Sequence, residues 1–241
     1  TNVPFLGLYG ACSTMAEGLL VASCLVESGF EQTACAITSS HFCSAERQYR
    51  YPLEYGGQRP QTAQWTATAS GAVVLQKGGM GVRITHATPG RIADPGVTSQ
   101  ANMGAAMALS AYETISRFFQ DTHTGPSHYD LIVTGDLGKV GHQIVIDLFQ
   151  RDGIDMRPTY DDCGLLLYDG SQDVHAGGSG CGCSAAVLCS YILKAMEQGI
   201  FRKVLFCGTG ALLSPTSCNQ GQSIPGICHL ICLEADEKWN M

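Results

Sequence analysis

Cys12 is the residue of this chain best placed to do chemistry. It follows a short apolar run, Pro4 to Tyr9, and a Gly10-Ala11 turn, and it stands where a helix begins. A thiol at a strand-to-helix turn meets unpaired backbone N–H groups and the positive end of the helix dipole, and both favour thiolate. The position therefore suits a nucleophile or a ligand contact at the mouth of a pocket. The competing reading is a small buried hydrophobe, the usual state of a free cysteine. The elements that must hold it follow from the neighbouring residues. Pro4–Tyr9 reads as a buried strand, Thr14 and Glu17 have capping-box spacing, and Met15 to Val26 is apolar almost all round, which predicts a helix buried on every side. Gly29 is its expected stop.

The whole sequence narrows the class. Its 241 residues suffice for one large domain or two modest ones. A net charge of −7 without a Lys/Arg cluster argues against a nucleic-acid partner. Twelve cysteines raise disulfide and zinc readings, yet there is no CxxC, and Cys24, Cys35, Cys189, Cys207 and Cys232 lie in apolar runs where core packing is expected. That usage fits a reducing, intracellular compartment. No signal peptide is expected, and the longest apolar run is interrupted by Glu17, so membrane association is expected to be peripheral.

Along the chain, 32–40 reads as a strand ending in small polar residues, and 41–64 as a long loop rich in arginine and aromatic rings. Strands follow at 69–76 and 82–87, then an amphipathic helix over 103–119. Tyr129–Val133 reads as a buried strand leading into Thr134-Gly135-Asp136-Leu137-Gly138, with a helix from about Gly141 to Arg151. Cys163 to Tyr168 reads as another strand. Gly177 to Ser184 opens a long apolar helix ending near Gly199, and 202–207 and 227–234 are the last strands.

This order contains a repeat. Cys12-Ser13 matches Cys183-Ser184 and Phe30 matches Phe201, each at an offset of 171 residues. Two related α/β halves packed about a pseudo-twofold follow, 1–100 and 101–241, with the Cys12 and Cys183 helices side by side at the centre. The first half lacks a counterpart of the strand-loop-helix unit 129–151, so the expectation is a first half truncated at its N-terminus.

A duplicated α/β unit with a cysteine at its first buried helix resembles the thiolase and ketoacyl-synthase fold. The stretches YGACST (9–14), TSSH (38–41), AERQYRYPLEYGGQRP (45–60), LIVTGDL (131–137), DDCGLLLY (161–168), GGSGCGCSA (177–185) and GTGALLSPT (208–216) resemble, more narrowly, the stage V sporulation protein AD family of spore-forming bacteria. The resemblance implies a thiolase-like α/β/α/β/α layering and a homodimer. It further implies binding of dipicolinic acid, free or as its calcium chelate, for uptake into the developing spore. The partners implied are membrane proteins of the same system, and the location is peripheral, at the spore inner membrane. It calls for no cofactor and no metal site of the chain's own.

Catalytic members of the superfamily need a loop His and a turn Asn for proton transfer and carbonyl polarisation. Alignment on Leu131–Val133 puts Gly135 and Asp136 where the His is expected, and Ser179 where the Asn is expected. An acidic Asp136 near the thiol disfavours thiolate and repels an oxyanion. The expected catalytic set is therefore empty, and the expected ligand-binding set is Cys12, His41, Gly135, Asp136, Gly178, Ser179 and Cys181. His41 lines the pocket or makes a loop contact. Asp136 meets a ligand or caps the helix after it. Helix N-terminal N–H groups near Ser13 and at 180–184 either reach a carboxylate or belong to a tight glycine turn. Arg47, Arg50 and Arg59 pair with a dicarboxylate or with a second subunit, the second being preferred. The alternative from another class is an acyltransferase using Cys12; a third is a ligand-free scaffold.

Overall fold

The structure, a computed structural model, describes residues 3–44, 46–49 and 58–236. Arg50 and Gly56-Gly57 of the expected loop lie outside them. The larger sheet is five-stranded and mixed. Its strands are β4 (Val82–Thr88), β5 (Leu131–Thr134), β6 (Tyr160–Asp162), β8 (Lys203–Ala211) and β9 (Gly226–Ala235), in spatial order β4-β9-β8-β5-β6. It takes one strand, β4, from the first hundred residues and four from the rest. Strands β6, β5 and β8 are mutually parallel, and β9 runs antiparallel to both β8 and β4. Strand β8 is buried from Val204 to Ala211, the pattern of a strand covered on both faces.

Two cores explain that burial. On one face, helices α2 (Met103–Thr122) and α3 (Gly138–Arg151) pack Met107, Ile115, Phe119 and Phe149 against Ile132, Leu205 and Leu230. On the other, α1 (Thr14–Glu27) and α5 (Cys181–Val187) bring Met15, Leu19, Cys183 and Leu188 against Val133, Phe206 and Ile231. Helix α5 continues through a π-helical turn, Leu188–Ile192, into α6 (Leu193–Glu197). Gly29 and Gly199 stop the two helices with φ of 75° and 72°, a conformation only glycine adopts freely.

Beyond α1 and α5 lies a second sheet, β1 (Thr33–Ser40) antiparallel to β3 (Ala69–Gln76). Ala36, Thr38 and Ser40 of β1 face inward, whereas Thr33, Cys35, Ile37 and Ser39 are exposed. The halves are thus built alike: a helix after a Cys-Ser turn feeds a strand, and that strand pairs antiparallel with a later one. Helices α1 and α5 touch at the centre, as the 171-residue repeat requires.

Four local expectations need correction. Pro4–Tyr9 is not a buried strand, for every residue from Val3 to Tyr9 is exposed. Its repeat counterpart, 175–180, is a turn carrying only the two-residue strand β7 (Gly178–Ser179). The capping box is absent because Thr14 is the first helical residue and its hydroxyl donates to Ala11 O at 2.6 Å. Helix α1 is not buried all round: Leu20, Val21 and Leu25 are half-buried, and Cys24 is exposed, as is Cys35. Finally, Cys163 starts a helical turn, α4 (Cys163–Leu166), because Asp162 Oδ1 caps it by accepting from Gly164 N at 3.0 Å.

Candidate functional site

The turn before α1 is tightly built. Ser13, fully buried, donates to Gly10 O at 2.6 Å, and Gly10 N donates to Thr14 Oγ1 at 3.2 Å. Ala11 sits at φ 51°, the left-handed region, which costs about 1 kcal/mol or more for a residue with a Cβ. That turn aims Cys12, and the end of β8 packs directly beneath it. A Cβ on Gly210 would come within 2.4 Å of Gly10 O, so a larger residue would push the turn away.

Asp136 is the centre of the constellation. It lies in the loop after β5, held close because Gly135 lets the backbone approach Thr209, where a Cβ would come within 2.9 Å of Thr209 N. Its side chain is fully buried and surrounded by donors. Oδ2 accepts from Ser179 Oγ and from Gly180 N, both at 2.9 Å. Oδ1 accepts from Thr209 Oγ1 at 3.0 Å, and the Cys12 thiol also hydrogen-bonds the carboxylate. Thr209 Oγ1 in turn accepts from Asp136 N at 3.0 Å. Burial pushes the Asp136 carboxyl up from its ordinary value, and these four donors oppose that by favouring the ionised form. The thiol therefore faces an acceptor, as a donor does, with no imidazole in the cluster.

A second carboxylate braces this loop from behind. Asp162, fully buried, accepts from Leu137 N at 2.8 Å, Gly138 N at 2.9 Å and Thr134 Oγ1 at 2.7 Å. Burial raises its carboxyl to about 7, against the pull of those donors. Gln64, 7% exposed, ties the same loop to the other side by donating to Asp136 O at 2.6 Å and Gly178 O at 2.9 Å.

The structure brings Cys12, Gly135, Asp136 and Ser179 together. Gly178 stands one residue behind, paired with Trp65 of β2 (Trp65–Thr66). Cys181 faces β1 instead: its thiol donates to Ser39 O at 3.1 Å, and burial pushes it up while a hydrogen bond from Thr38 draws it down. Glu46, which accepts from Thr66 Oγ1 at 3.2 Å, adds a negative charge near Cys181. His41 is exposed at the end of β1, and its carbonyl accepts from Ser44 N.

Thr209 was missed by reasoning from the sequence, although the repeat held the signal. Thr38 and Thr209 are 171 residues apart, and each touches the loop or helix start of the opposite half. Five of the expected anion donors have partners within the fold. Ser13 N donates to Gly10 O, Thr14 N to Ala11 O, Gly180 N to Asp136, Gly182 N to Ser40 Oγ and Cys183 N to Gly180 O. These five groups are engaged within the fold. Among the described residues two open clefts lie elsewhere. One, about 590 Å³, is lined by Met80, Arg83, Arg202, Lys203 and Asp236; the other, about 640 Å³, by His86, Phe118, Asp121, His128 and Lys203.

Comparison with solved structures gives the fold. The chain superposes on 3-oxoacyl-[acyl-carrier-protein] synthase III of Aquifex aeolicus VF5 with a TM-score of 0.53 at 12% identity, covering 94% of this chain and 66% of that one. For the corresponding enzyme of Pseudomonas aeruginosa PAO1 the TM-score is 0.55 at 13% identity, covering 95% and 67%. This is the thiolase-like fold, of which the chain spans about two thirds. The stage V sporulation protein AD of Bacillus subtilis (strain 168) is 50% identical over 233 residues, 97% of this chain and 69% of the relative. The family profile of stage V sporulation protein AD matches residues 1–234, so the chain belongs to that family.

Proposed function

We propose that this protein is a non-enzymatic binder of dipicolinic acid, free or as its calcium complex, serving uptake of that compound into the developing spore. The observation that carries the non-enzymatic reading is the state of Asp136. Its carboxylate stands beside Cys12, where a condensing enzyme needs a general base, and it is already held by Ser179, Gly180 and Thr209. A thiol donating to a buried carboxylate lacks both activation and a polarising donor for an acyl carbonyl. The ligand is placed beside this cluster of Cys12, Asp136, Ser179 and Thr209. The Glu46 carboxylate nearby favours a ligand whose charge is reduced by calcium.

In this reading the protein acts as a homodimer at the spore inner membrane, attached peripherally to membrane proteins of the same system. Among the described residues no helix is long and apolar enough to cross a membrane. The test combines calorimetry and turnover. Dipicolinate is expected to bind with an affinity on the order of micromolar to millimolar, and short acyl-coenzyme A substrates are expected to show no thiolysis or condensation. Robust turnover abolished by Cys12→Ala would establish an acyltransferase instead.

A further inference from the structure

With five of the helix-start N–H groups engaged, an anionic ligand needs another anchor, and one nitrogen of a largely buried cation lacks an acceptor. Arg59 has a side chain only 14% exposed. Its Nη2 donates to Asp173 O at 2.7 Å and lies 3.6 Å from Asp173 Oδ2. Its Nη1 is buried and has no hydrogen-bond partner among the described residues. A guanidinium nitrogen in that state costs free energy unless an acceptor arrives, and planar carboxylates match the guanidinium fork best.

An aromatic stack adjoins this nitrogen. The guanidinium carbon stacks 4.6 Å from the centre of the Trp65 ring, and the Phe42 ring stacks on Trp65 at 4.3 Å and 9°. Phe42 and Trp65 are both half-buried, which leaves the stack open to solvent on one side. Trp65 N donates to Gly177 O at 2.8 Å, and the next residue, Thr66, pairs with Ser179, whose hydroxyl holds Asp136. The stack is therefore one strand away from the Cys12–Asp136 cluster.

We propose that Arg59 Nη1, clamped over Trp65, is the carboxylate anchor of the ligand site, and that the ligand class is a planar aromatic carboxylate. This rests on the binding reading above and replaces the subunit-interface role expected for Arg59.

The chain has two tryptophans, Trp65 and Trp239, so Trp239→Phe leaves Trp65 as the only reporter. In that background, dipicolinate, benzoate and inorganic phosphate are titrated while Trp65 fluorescence is followed. The same titrations are run on Arg59→Gln, Arg59→Lys and the remote charge-matched control Arg202→Gln, with near-ultraviolet circular dichroism to show that each is folded. Dipicolinate is expected to perturb Trp65. Both Arg59 variants should bind about 10–100-fold more weakly, because a hydrogen bond to a charged group is lost, and Arg202→Gln should match the parent. Equal dipicolinate binding by a folded Arg59→Gln variant would overturn the anchor and leave the binding reading standing. Arg59-dependent binding of benzoate without dipicolinate would keep the anchor and overturn the dipicolinate reading. Binding of phosphate alone, or of no probe, would overturn both.

Discussion

Replacing Thr209 with valine removes one oxygen while keeping the side-chain shape. The residue is fully buried, and its Oγ1 both donates to Asp136 Oδ1 and accepts from Asp136 N, each at 3.0 Å. Losing the hydrogen bond to the carboxylate costs about 1.5–3 kcal/mol, and leaving the buried N–H unpaired costs about 1–3 kcal/mol more. The added methyl returns about 0.8 kcal/mol. Because the two losses share one partner they do not simply add, and a net destabilisation of about 2–4 kcal/mol is expected. Urea unfolding reads this directly: with a slope of about 3 kcal/mol per molar, the midpoint falls by roughly 1 M. The repeat supplies the control. Thr38, in the matching position, hydrogen-bonds the weaker Cys181 thiol, so Thr38→Val should cost about 1 kcal/mol or less. A Thr209→Val midpoint equal to wild type, or shifted no more than that of Thr38→Val, would refute the view that Asp136 is held by these donors.

Two other perturbations probe the same architecture. Asp162 has a folded value of about 7, above the ordinary unfolded value of about 3.9, so between those pH values the folded state holds the extra proton. Stability should therefore fall as pH rises from about 4 to 7, by at most about 4 kcal/mol, and level off above. Unfolding measured across that range should show the slope in wild type and its loss in Asp162→Asn; equal slopes would contradict the assignment. Gly210→Ala should lower stability by about 1–3 kcal/mol, since the new Cβ meets Gly10 O at 2.4 Å and must displace the Cys12 turn. Thermal unfolding unchanged from wild type would show that this contact is not close.

Much of the fold was legible because its strands and helices follow simple periods. Strand β3 matches its expected span, α2 starts at the expected Met103, and the repeat correctly set α1 beside α5. The two misread strands share a cause, tertiary context overriding a local apolar run. Pro4–Tyr9 is apolar enough for a strand, but its repeat counterpart is a turn and no sheet of the described residues receives it. Cys163–Leu166 is apolar enough too, yet the Asp162 carboxylate caps a helical turn there. Within the site, Cys12, Asp136 and Ser179 were readable from spacing and resemblance. Thr209 was not singled out, because a threonine between two glycines carries no signal until its distance from Thr38 is noticed. The unpaired state of Arg59 depends on which acceptors the fold brings near, and that is visible only in three dimensions.

The central claim is that the Cys12 cluster binds a ligand and performs no acyl transfer. Calorimetric titration of dipicolinate, with and without calcium, into wild type and Cys12→Trp tests it most directly. The account predicts saturable binding to wild type and none to a Cys12→Trp protein whose near-ultraviolet circular dichroism shows it folded, because the indole fills the space beside Asp136. Undiminished binding to that folded variant would contradict the account and move the ligand away from Cys12.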